Sequence, residues 1–403
     1  SFVVSARGTW PSPHPRFQES KTVSVTFDTS RQTGPLSVGL VSTYPPTRCG
    51  IGRFTHALRR AWVEADPTAD VRVARILRGP AEETDPAVET VFDPSSPVAR
   101  RTVARRLSEK DAVVIQHEYG IFGPDDGIAV LDLVDRIEAP VITVAHTVRT
   151  TPTPRQKRIL EYLARRGEMV VLSRVARDQL VSAFDIDPDH VVVIPHGSNW
   201  SARPFEPRTR RRLITWGLLG PGKGIERALE AVASIDLDPP VTYDIVGQTH
   251  PNVLARYGQS YRRSLEKLVE KLGLEDQVRF IDRYVSDEEL EEMVAAADLV
   301  VIPYDNSEQV SSGVLTDAVA AGKPVVATSF PHAREFAARG CGMTVGHSPR
   351  SMAAAIERML TDDVTYEVAA LQAARVSEDL SWTVVAQSYH RLVERLATKQ
   401  VVA

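Results

Sequence analysis

Residues 311–317 contain the side chains and backbone groups best suited to chemistry in this sequence. They follow an apolar run at 299–302 and place serine and glycine where a helix should begin. Backbone N–H groups at such a helix start have no partner inside the helix, so they favour an anion such as phosphate. Asp317, about one turn inside, would repel phosphate but could accept hydrogen bonds from the hydroxyls of a ribose. Phosphate beside ribose predicts a nucleotide.

A second candidate phosphate site is the glycine-rich turn after the predicted strand at 213–218. Glycines such as Gly217 allow the backbone to approach a ligand closely, and Lys223 supplies a cation. Taken alone, the segment could also be a tight turn with a solvated lysine. It is not a P-loop, because the glycine spacing around the lysine is wrong and no serine or threonine follows. Together with the helix start at 311–317, it favours a shared pyrophosphate site.

Gly50, Ile51 and Gly52 connect another predicted strand to a helix predicted at 54–64. They resemble part of a dinucleotide fingerprint, but Thr55 stands where its third glycine should be, which disfavours a hydride-transfer enzyme. We predict instead a flexible glycine turn whose N–H groups face a phosphate held by an opposite domain.

Three histidines also follow predicted strands: His117, next to Glu118, then His146 and His196. A structural role and a role at the ligand stay open for each of them, and His196 could equally belong to a hinge turn. The carboxylates at 185–189 precede a strand, so they predict a solvated loop, and no metal site is expected.

Short apolar runs alternate with amphipathic helical patterns along the chain after residue 35. Continuous β-branched runs predict parallel strands buried on both faces, and the alternation predicts two doubly wound α/β domains that face one another across a cleft. Such sheets bind ligands at the carboxyl ends of their strands, where nearly all the candidate residues fall. The strands are predicted at 36–41, 71–77, 112–116, 141–145, 169–172 and 191–194, and at 213–218, 243–246, 278–281, 299–302, 324–327 and 343–345.

Composition limits the class of protein. Of 403 residues, 43% are hydrophobic and 25% charged, and the net charge of −4 gives no drive toward nucleic acid. Two cysteines, with no leader-like or membrane-spanning run, predict a cytoplasmic protein without a disulfide framework. Arginine-rich helices at 100–106 and 155–166 predict solvated faces, with peripheral contact to an inner membrane face as the alternative.

Gly217 with Lys223, residues 311–326 and the early glycine loop together resemble the retaining glycosyltransferases of family four, also called group 1, which have the GT-B architecture. The resemblance covers most of the chain from residue 36. It implies a loosely ordered extension at 1–35, a Rossmann-like acceptor domain at 36–200, a Rossmann-like nucleotide-sugar domain at 201–380 and a helix at 381–403 that packs back on the acceptor domain.

The resemblance also implies residue roles. Lys223 would contact the donor's diphosphate, Asp317 its ribose and His146 the transferred sugar. The expected catalytic residues are His146, Lys223 and His117. The expected donor-binding residues are Lys223, Asp317, Gly50, Ile51, Gly52, Gly217, Tyr284, Gln309, Ser311, Ser312, Gly313, Val314 and Leu315, and the expected acceptor contacts are Glu118, Tyr119 and His196.

The implied activity is transfer of mannose or glucose, with retention and without metal or cofactor, from a GDP- or UDP-sugar to a saccharide or other hydroxyl acceptor. Two departures from the family pattern bear on the donor: Gln309 replaces the first of two glutamates, and Leu218 replaces an arginine that precedes the lysine. A nucleotide-sugar epimerase and a non-catalytic nucleotide-sugar-binding protein stay open as alternatives. The oligomeric state, the acceptor and the donor base are not predicted.

Overall fold

The computed structural model describes residues 35–47, 49–77, 85–203, 210–283 and 285–402. These residues form two fully parallel β-sheets, of seven and six strands, with helices packed on both faces. The predicted doubly wound α/β class is therefore confirmed. The expected N-terminal extension, apart from Pro35, and the expected donor-binding residue Tyr284 lie outside the described residues.

The first sheet has the strand order β3-β2-β1-β4-β5-β6-β7. Its strands are β1 Ser37–Ser42, β2 Asp70–Ile76, β3 Val88–Phe92, β4 Ala112–His117, β5 Val141–Ala145, β6 Gly167–Val171 and β7 Val191–Val193. The helices between them are α1 Gly50–Ala65, α2 Pro97–Leu107, the single turn α3 Pro124–Gly127, α4 Ala129–Asp135, α5 Pro154–Arg166 and α6 Arg174–Ala183.

The second sheet has the order β10-β9-β8-β11-β12-β13. Its strands are β8 Arg212–Trp216, β9 Thr242–Val246, β10 Val278–Ile281, β11 Leu299–Ile302, β12 Val325–Thr328 and β13 Gly342–Val345. The helices are α7 Ile225–Val232, α8 Pro251–Tyr257, α9 Ser260–Leu272, α10 Asp287–Ala296, α11 Gly313–Ala320, α12 Pro331–Ala338, α13 Pro349–Thr361, α14 Asp363–Ser377 and α15 Trp382–Val402.

Burial on both faces explains the apolar runs in the sequence. In β2, Val71 and Val73 pack into the core beside α1, whereas Ala74 and Ile76 pack into the core on the other face. Since successive side chains of a strand point to opposite faces, both faces need apolar residues. Strand β3 has no predicted counterpart, because it lies at the sheet edge, where exposed polar residues interrupt its apolar run.

Helix α15 crosses back from the second sheet onto the first. Its Tyr389 packs against Trp62 of α1 with ring centroids 6.3 Å apart, and the Trp62 indole donates a hydrogen bond of 3.2 Å to His390 Nδ1. We call the first sheet with α1–α6 and α15 the first lobe, and the second sheet with α7–α14 the second lobe. No helix among the described residues has the length and apolarity needed to cross a bilayer.

The chain passes between the lobes twice, and the two crossings are bonded to each other. Ser198 N–H donates to Leu380 O at 2.7 Å, and Trp382 N–H donates to Ser198 O at 3.2 Å. The two lobes belong to one compact unit, Pro35–Ala403. The domain boundaries predicted at 200 and 380 lie beside these crossings and stay predictions.

Candidate functional site

The start of α11 contains the predicted phosphate-binding amides, and it differs from the prediction. Ser312 caps the helix, with its hydroxyl accepting from Leu315 N–H at 3.3 Å, and its own N–H donates to His332 Nδ1 at 2.9 Å. The amides of Ser312 and Leu315 are therefore already hydrogen-bonded, which corrects the expectation of an uncapped start. Gly313 and Val314, in the first turn, keep N–H groups without a partner among the described residues.

Lys223 lies next to this helix start. Its ammonium nitrogen is 4.2 Å from the ring centroid of Tyr304, a buried residue just beyond β11. Burial raises the pKa of the Tyr304 hydroxyl, and the neighbouring Ser312 side chain lowers it in part, although the two groups fall short of hydrogen-bond geometry. Tyr304 thus lies beside both the Lys223 ammonium and the Ser312 side chain. The end of β8 also lies close to the start of α11, because a Cβ on Gly217 would be 3.8 Å from Val314 Cγ2. Burial lowers the pKa of Lys223.

The glycine-rich turn can approach this region because of Gly224. The residue has φ of 64°, and a Cβ there would lie 1.8 Å from the carbonyl oxygen of Pro303. Only glycine fits that position without strain. A hydrogen bond of 2.9 Å from Asp305 N–H to Gly222 O joins the same two loops. The turn after β8 and the segment after β11 are consequently packed against each other.

Asp317 lies on α11 and faces the crossing between the lobes. Its Oδ1 accepts a hydrogen bond of 2.7 Å from the Ser198 hydroxyl. Burial raises the pKa of Asp317 to about 7, while Ser198 and the guanidinium of Arg53 lower it in part. The side chain can therefore be either a hydrogen-bond donor or an acceptor near neutral pH.

The early glycine segment is helical rather than a flexible turn, which corrects that prediction. Helix α1 begins at Gly50, and Cys49 Sγ accepts from Gly52 N–H at 3.3 Å. The N–H groups of Gly50 and Ile51 have no partner among the described residues. Arg53, in the same turn, reaches across to Asp287 at 2.7 Å in the second lobe. The start of α1 therefore faces the second lobe.

His146, directly after β5, is half-buried, and its lowered pKa keeps the ring neutral. Its Nε2 lies 2.7 Å from Gln116 Oε1; because a carboxamide oxygen only accepts, Nε2 carries the proton and Nδ1 is the free acceptor. Burial, together with His196 and His117, lowers the pKa of His146 to about 3. The ring stands edge-on to Phe54 of α1, with centroids 4.9 Å apart.

His196 was expected among the acceptor contacts, but its ring lies against the start of α11. A Cβ on Gly313 would be 3.4 Å from His196 Nε2. The nitrogen Nδ1 lies 2.7 Å from Gly197 O, so it donates, and burial lowers the pKa of the ring to about 4. His196 packs between Phe54 and Trp382, at centroid distances of 5.1 and 5.6 Å.

His117, Glu118 and Tyr119 form a polar cluster at the end of β4. His117 is fully buried with neither ring nitrogen hydrogen-bonded among the described residues, and burial lowers its pKa to about 4. The Tyr119 hydroxyl is likewise unpaired. Glu118 is engaged locally, accepting from Tyr119 N–H at 3.0 Å and from the Thr147 hydroxyl at 2.5 Å. Unpaired buried polar groups here leave hydrogen-bonding capacity for a ligand.

Two further residues, at or beside expected donor contacts, are bonded to groups close to them in the sequence. The Gln309 carboxamide donates to Ser311 O at 3.0 Å, so it orders the segment before α11. Arg283, the neighbour of the expected donor-binding residue Tyr284, pairs with Glu289 and lines a groove of about 460 Å³ beside β10 and α10.

Tyr304, His332 and Arg53 are the site residues that the sequence interpretation missed. Tyr304 and His332 follow the second-lobe strands β11 and β12, so the strand-end rule that selected His146 would also have selected them. His332 is buried, and its N–H donates to Gln309 O at 3.2 Å, so it holds the segment before α11 at two points. No sequence signal indicated that Arg53 reaches the other lobe.

Comparisons with known proteins show similarity to glycosyltransferases. Residues 198–376 match the family model described as glycosyl transferases group 1. A D-inositol 3-phosphate glycosyltransferase of Corynebacterium glutamicum is 28% identical over 289 residues, which cover 63% of this chain and 66% of the relative. The enzyme of the same name from Geodermatophilus obscurus is 31% identical over 252 residues, 56% of this chain and 55% of the relative. The chain thus spans less than two thirds of the length of these relatives.

Among solved structures, Anabaena HepE in complex with UDP and glucose matches with a TM-score of 0.68 at 17% identity. The match covers 90% of this chain and all of that one. At this identity the likeness concerns the fold.

Proposed function

We propose that the chain is a group 1 glycosyltransferase that transfers a hexosyl unit, mannose or glucose, from a GDP- or UDP-sugar to a hydroxyl acceptor. The family match over residues 198–376 and the GT-B fold support this proposal. The reaction proceeds with retention at the anomeric carbon and without a metal. The relatives that act on D-inositol 3-phosphate support a polyol or saccharide acceptor.

The observation that carries the proposal is the position of Tyr304, whose ring centroid lies 4.2 Å from the Lys223 ammonium nitrogen and whose hydroxyl lies near the Ser312 side chain. One ammonium group and the free amides of Gly313 and Val314 then face the same space at the carboxyl ends of β8 and β11. A diphosphate fits this combination of a cation with a helix start, and Asp317 lies one turn further along the helix for the ribose.

The chemistry places negative charge on the departing diphosphate. The bond from the anomeric carbon to the phosphate oxygen breaks, a bond to the acceptor oxygen forms on the same face, and the acceptor proton passes to the departing phosphate oxygen. Lys223 and the α11 amides stabilise the charge as it develops. Gly50 and Ile51, at the start of α1, present further N–H groups from the first lobe.

Neutral histidines suit this reaction. His146 and His117 have pKa values lowered to about 3 and 4, so at neutral pH both rings are uncharged hydrogen-bonding groups. The free Nδ1 of His146 accepts a hydrogen bond from a hydroxyl of the transferred sugar, and His117 with Tyr119 binds the acceptor. The burial of His117 keeps bulk water away from the end of β4, which limits hydrolysis of the donor.

The function is tested by donor binding followed by transfer. A thermal-shift series with UDP, GDP and their glucose and mannose conjugates should raise the melting temperature for the true donor, because a ligand that binds the folded state stabilises it. NMR of donor with an acceptor mixture should then show an α-linked product. Interconversion of the donor alone would indicate an epimerase, and tight binding without transfer or hydrolysis would indicate a binding protein.

Membrane contact is a separate part of the proposal. Arg101 and Arg105 of α2 are exposed and form no ion pair with the described residues, so this face could approach an anionic inner leaflet from the cytoplasm. Co-flotation with phosphatidylglycerol vesicles, compared with phosphatidylcholine vesicles and with the Arg101→Gln, Arg105→Gln variant, would decide it.

A further inference from the structure

Arg75, near the end of β2, is a buried cation that the proposed reaction does not use. The residue is 2% exposed, and its Nε and Nη1 have no hydrogen-bond partner among the described residues. Its recorded polar contact is a long one, from Nη2 to the Thr47 hydroxyl at 3.3 Å. An arginine stays charged at all physiological pH values, so the charge cannot be removed by losing a proton.

An unpaired buried charge of this kind is strongly unfavourable unless an anion neutralises it. Within the described residues, Arg75 forms no ion pair. The next arginine toward the start of β2 behaves differently: Arg72 points to the opposite, solvated face and pairs with Asp70 at 2.7 Å. Of these two arginines of β2, the exposed one has an ion pair and the buried one has none among the described residues.

Arg75 lies in the first lobe, near the carboxyl end of β2. It is in register with Ser42, the last residue of β1, and its guanidinium reaches the loop that leads from β1 to α1 at Thr47. The proposed diphosphate groups, Lys223 and the start of α11, belong to the second lobe instead. A second anion site in the first lobe is therefore left for the other substrate.

We propose that the Arg75 guanidinium and the Thr47 hydroxyl bind a phosphate group carried by the acceptor. The planar fork of an arginine matches the oxygens of a phosphate in a two-point contact. Both edges of the Arg75 guanidinium offer one, because Nε and Nη1 are free and Nη2, shared by the two edges, has only the long bond to Thr47. This inference rests on the proposed glycosyl transfer, since it names the chemical class of the acceptor.

The first experiment measures whether the guanidinium is unpaired. Arg75→Met keeps an unbranched apolar side chain at this position and removes the charged guanidinium, and Arg72→Met is the matched control on the same strand. In phosphate-free chloride buffer, Arg75→Met should melt at or above the temperature of the parent, because a desolvated charge has been removed. A fall of several degrees in Arg75→Met, or in a Glu82→Gln, Glu83→Gln variant, would mean that the protein itself pairs the charge, and the proposal would be wrong.

The second experiment uses inorganic phosphate as the probe, with the nucleoside diphosphate at saturation so that the donor site is filled. Phosphate should raise the melting temperature of the parent, of Arg72→Met and of Lys223→Met, but not that of Arg75→Met. An equal shift in Arg75→Met would place the phosphate elsewhere and overturn the site.

Transfer assays then distinguish a phosphate group carried by the acceptor from free inorganic phosphate. The matched acceptors are inositol with inositol 3-phosphate, and glucose with glucose 6-phosphate. The parent should favour the phosphorylated member of each pair by roughly tenfold or more in kcat/KM. This preference should be lost in Arg75→Gln and partly restored in Arg75→Lys. Phosphate binding without any such preference would refute the acceptor assignment. Loss of donor binding in the parent would instead refute the glycosyltransferase proposal, so the two failures are distinguishable.

Discussion

The Ser198 hydroxyl donates a hydrogen bond of 2.7 Å to the Asp317 carboxylate. This contact joins the first crossing between the lobes to the helix proposed to hold the nucleotide. Ser198 is also bonded through its backbone to Leu380 and Trp382 at the second crossing. The Asp317 side chain is therefore bonded directly to a segment that connects the two lobes.

Donor affinity should depend on pH through Asp317. Burial raises the pKa of this side chain to about 7 from 3.8, so near pH 6 only about a tenth of the folded molecules carry the carboxylate that ribose hydroxyls require. The KM for the nucleotide sugar should fall as pH rises from 6 to 8. Asp317→Asn should abolish this dependence, and Ser198→Ala should move its midpoint upward. A flat profile in the parent would contradict the ribose assignment.

The raised pKa of Asp317 should also lower the stability of the folded protein as pH rises, whereas donor affinity should increase. A carboxyl whose pKa is raised on folding favours the folded state in its protonated form, so its contribution is present below about pH 4 and is lost as pH rises toward 7. Asp317→Asn should therefore gain stability relative to the parent between pH 6 and pH 8. Urea unfolding of the two proteins at pH 5 and pH 8 measures the difference.

Removing the cation should slow the transfer itself. A charge-assisted hydrogen bond is worth roughly 1.5–3 kcal/mol, so Lys223→Met should lower kcat/KM by about 10- to 100-fold. Lys267→Met, on the exposed face of α9, is the control and should match the parent. Turnover by Lys223→Met within a factor of two of the parent would exclude the proposed role.

His332 should affect donor binding through the Ser312 N–H, from which its Nδ1 accepts a hydrogen bond. His332→Ala leaves the buried Ser312 N–H unpaired, at a cost of roughly 1–3 kcal/mol, and loosens the start of α11. We expect the donor KM to rise roughly three- to tenfold with a smaller change in kcat. His332→Asn offers a carbonyl oxygen in place of Nδ1 and should recover part of the loss. Equal KM values for the two variants would refute this positioning role; His347→Ala, at an exposed site, is the control.

A methyl group at the crossing should be poorly tolerated. A Cβ on Gly197 would lie 2.3 Å from the indole of Trp382, which packs against Phe54 and His196. Overpacking of this kind destabilises by about 1–3 kcal/mol, so Gly197→Ala should lower the melting temperature by several degrees. Gly346→Ala, where a Cβ meets nothing within 4 Å, should change it little. Identical melting curves would show that the crossing can rearrange.

Local sequence was sufficient to predict most of the elements. Strands such as β5 Val141–Ala145 and β11 Leu299–Ile302 have the predicted bounds, because a strand buried on both faces requires an unbroken apolar run. Edge strand β3 lacks that requirement and therefore lacked the signal. The start of α1 was predicted four residues late, since glycines in a first helical turn resemble a loop.

The sequence by itself determined the two series of strands and the positions at which chemistry-bearing residues follow them, because hydrophobic periodicity and turn residues are local properties. Only the tertiary structure decided which of those residues meet. Tyr304 beside Lys223 and Ser312, the bond from Ser198 to Asp317, and the unpaired charge of Arg75 all join positions distant along the chain. Such contacts depend on how the sheets and lobes pack, and no local pattern encodes that packing.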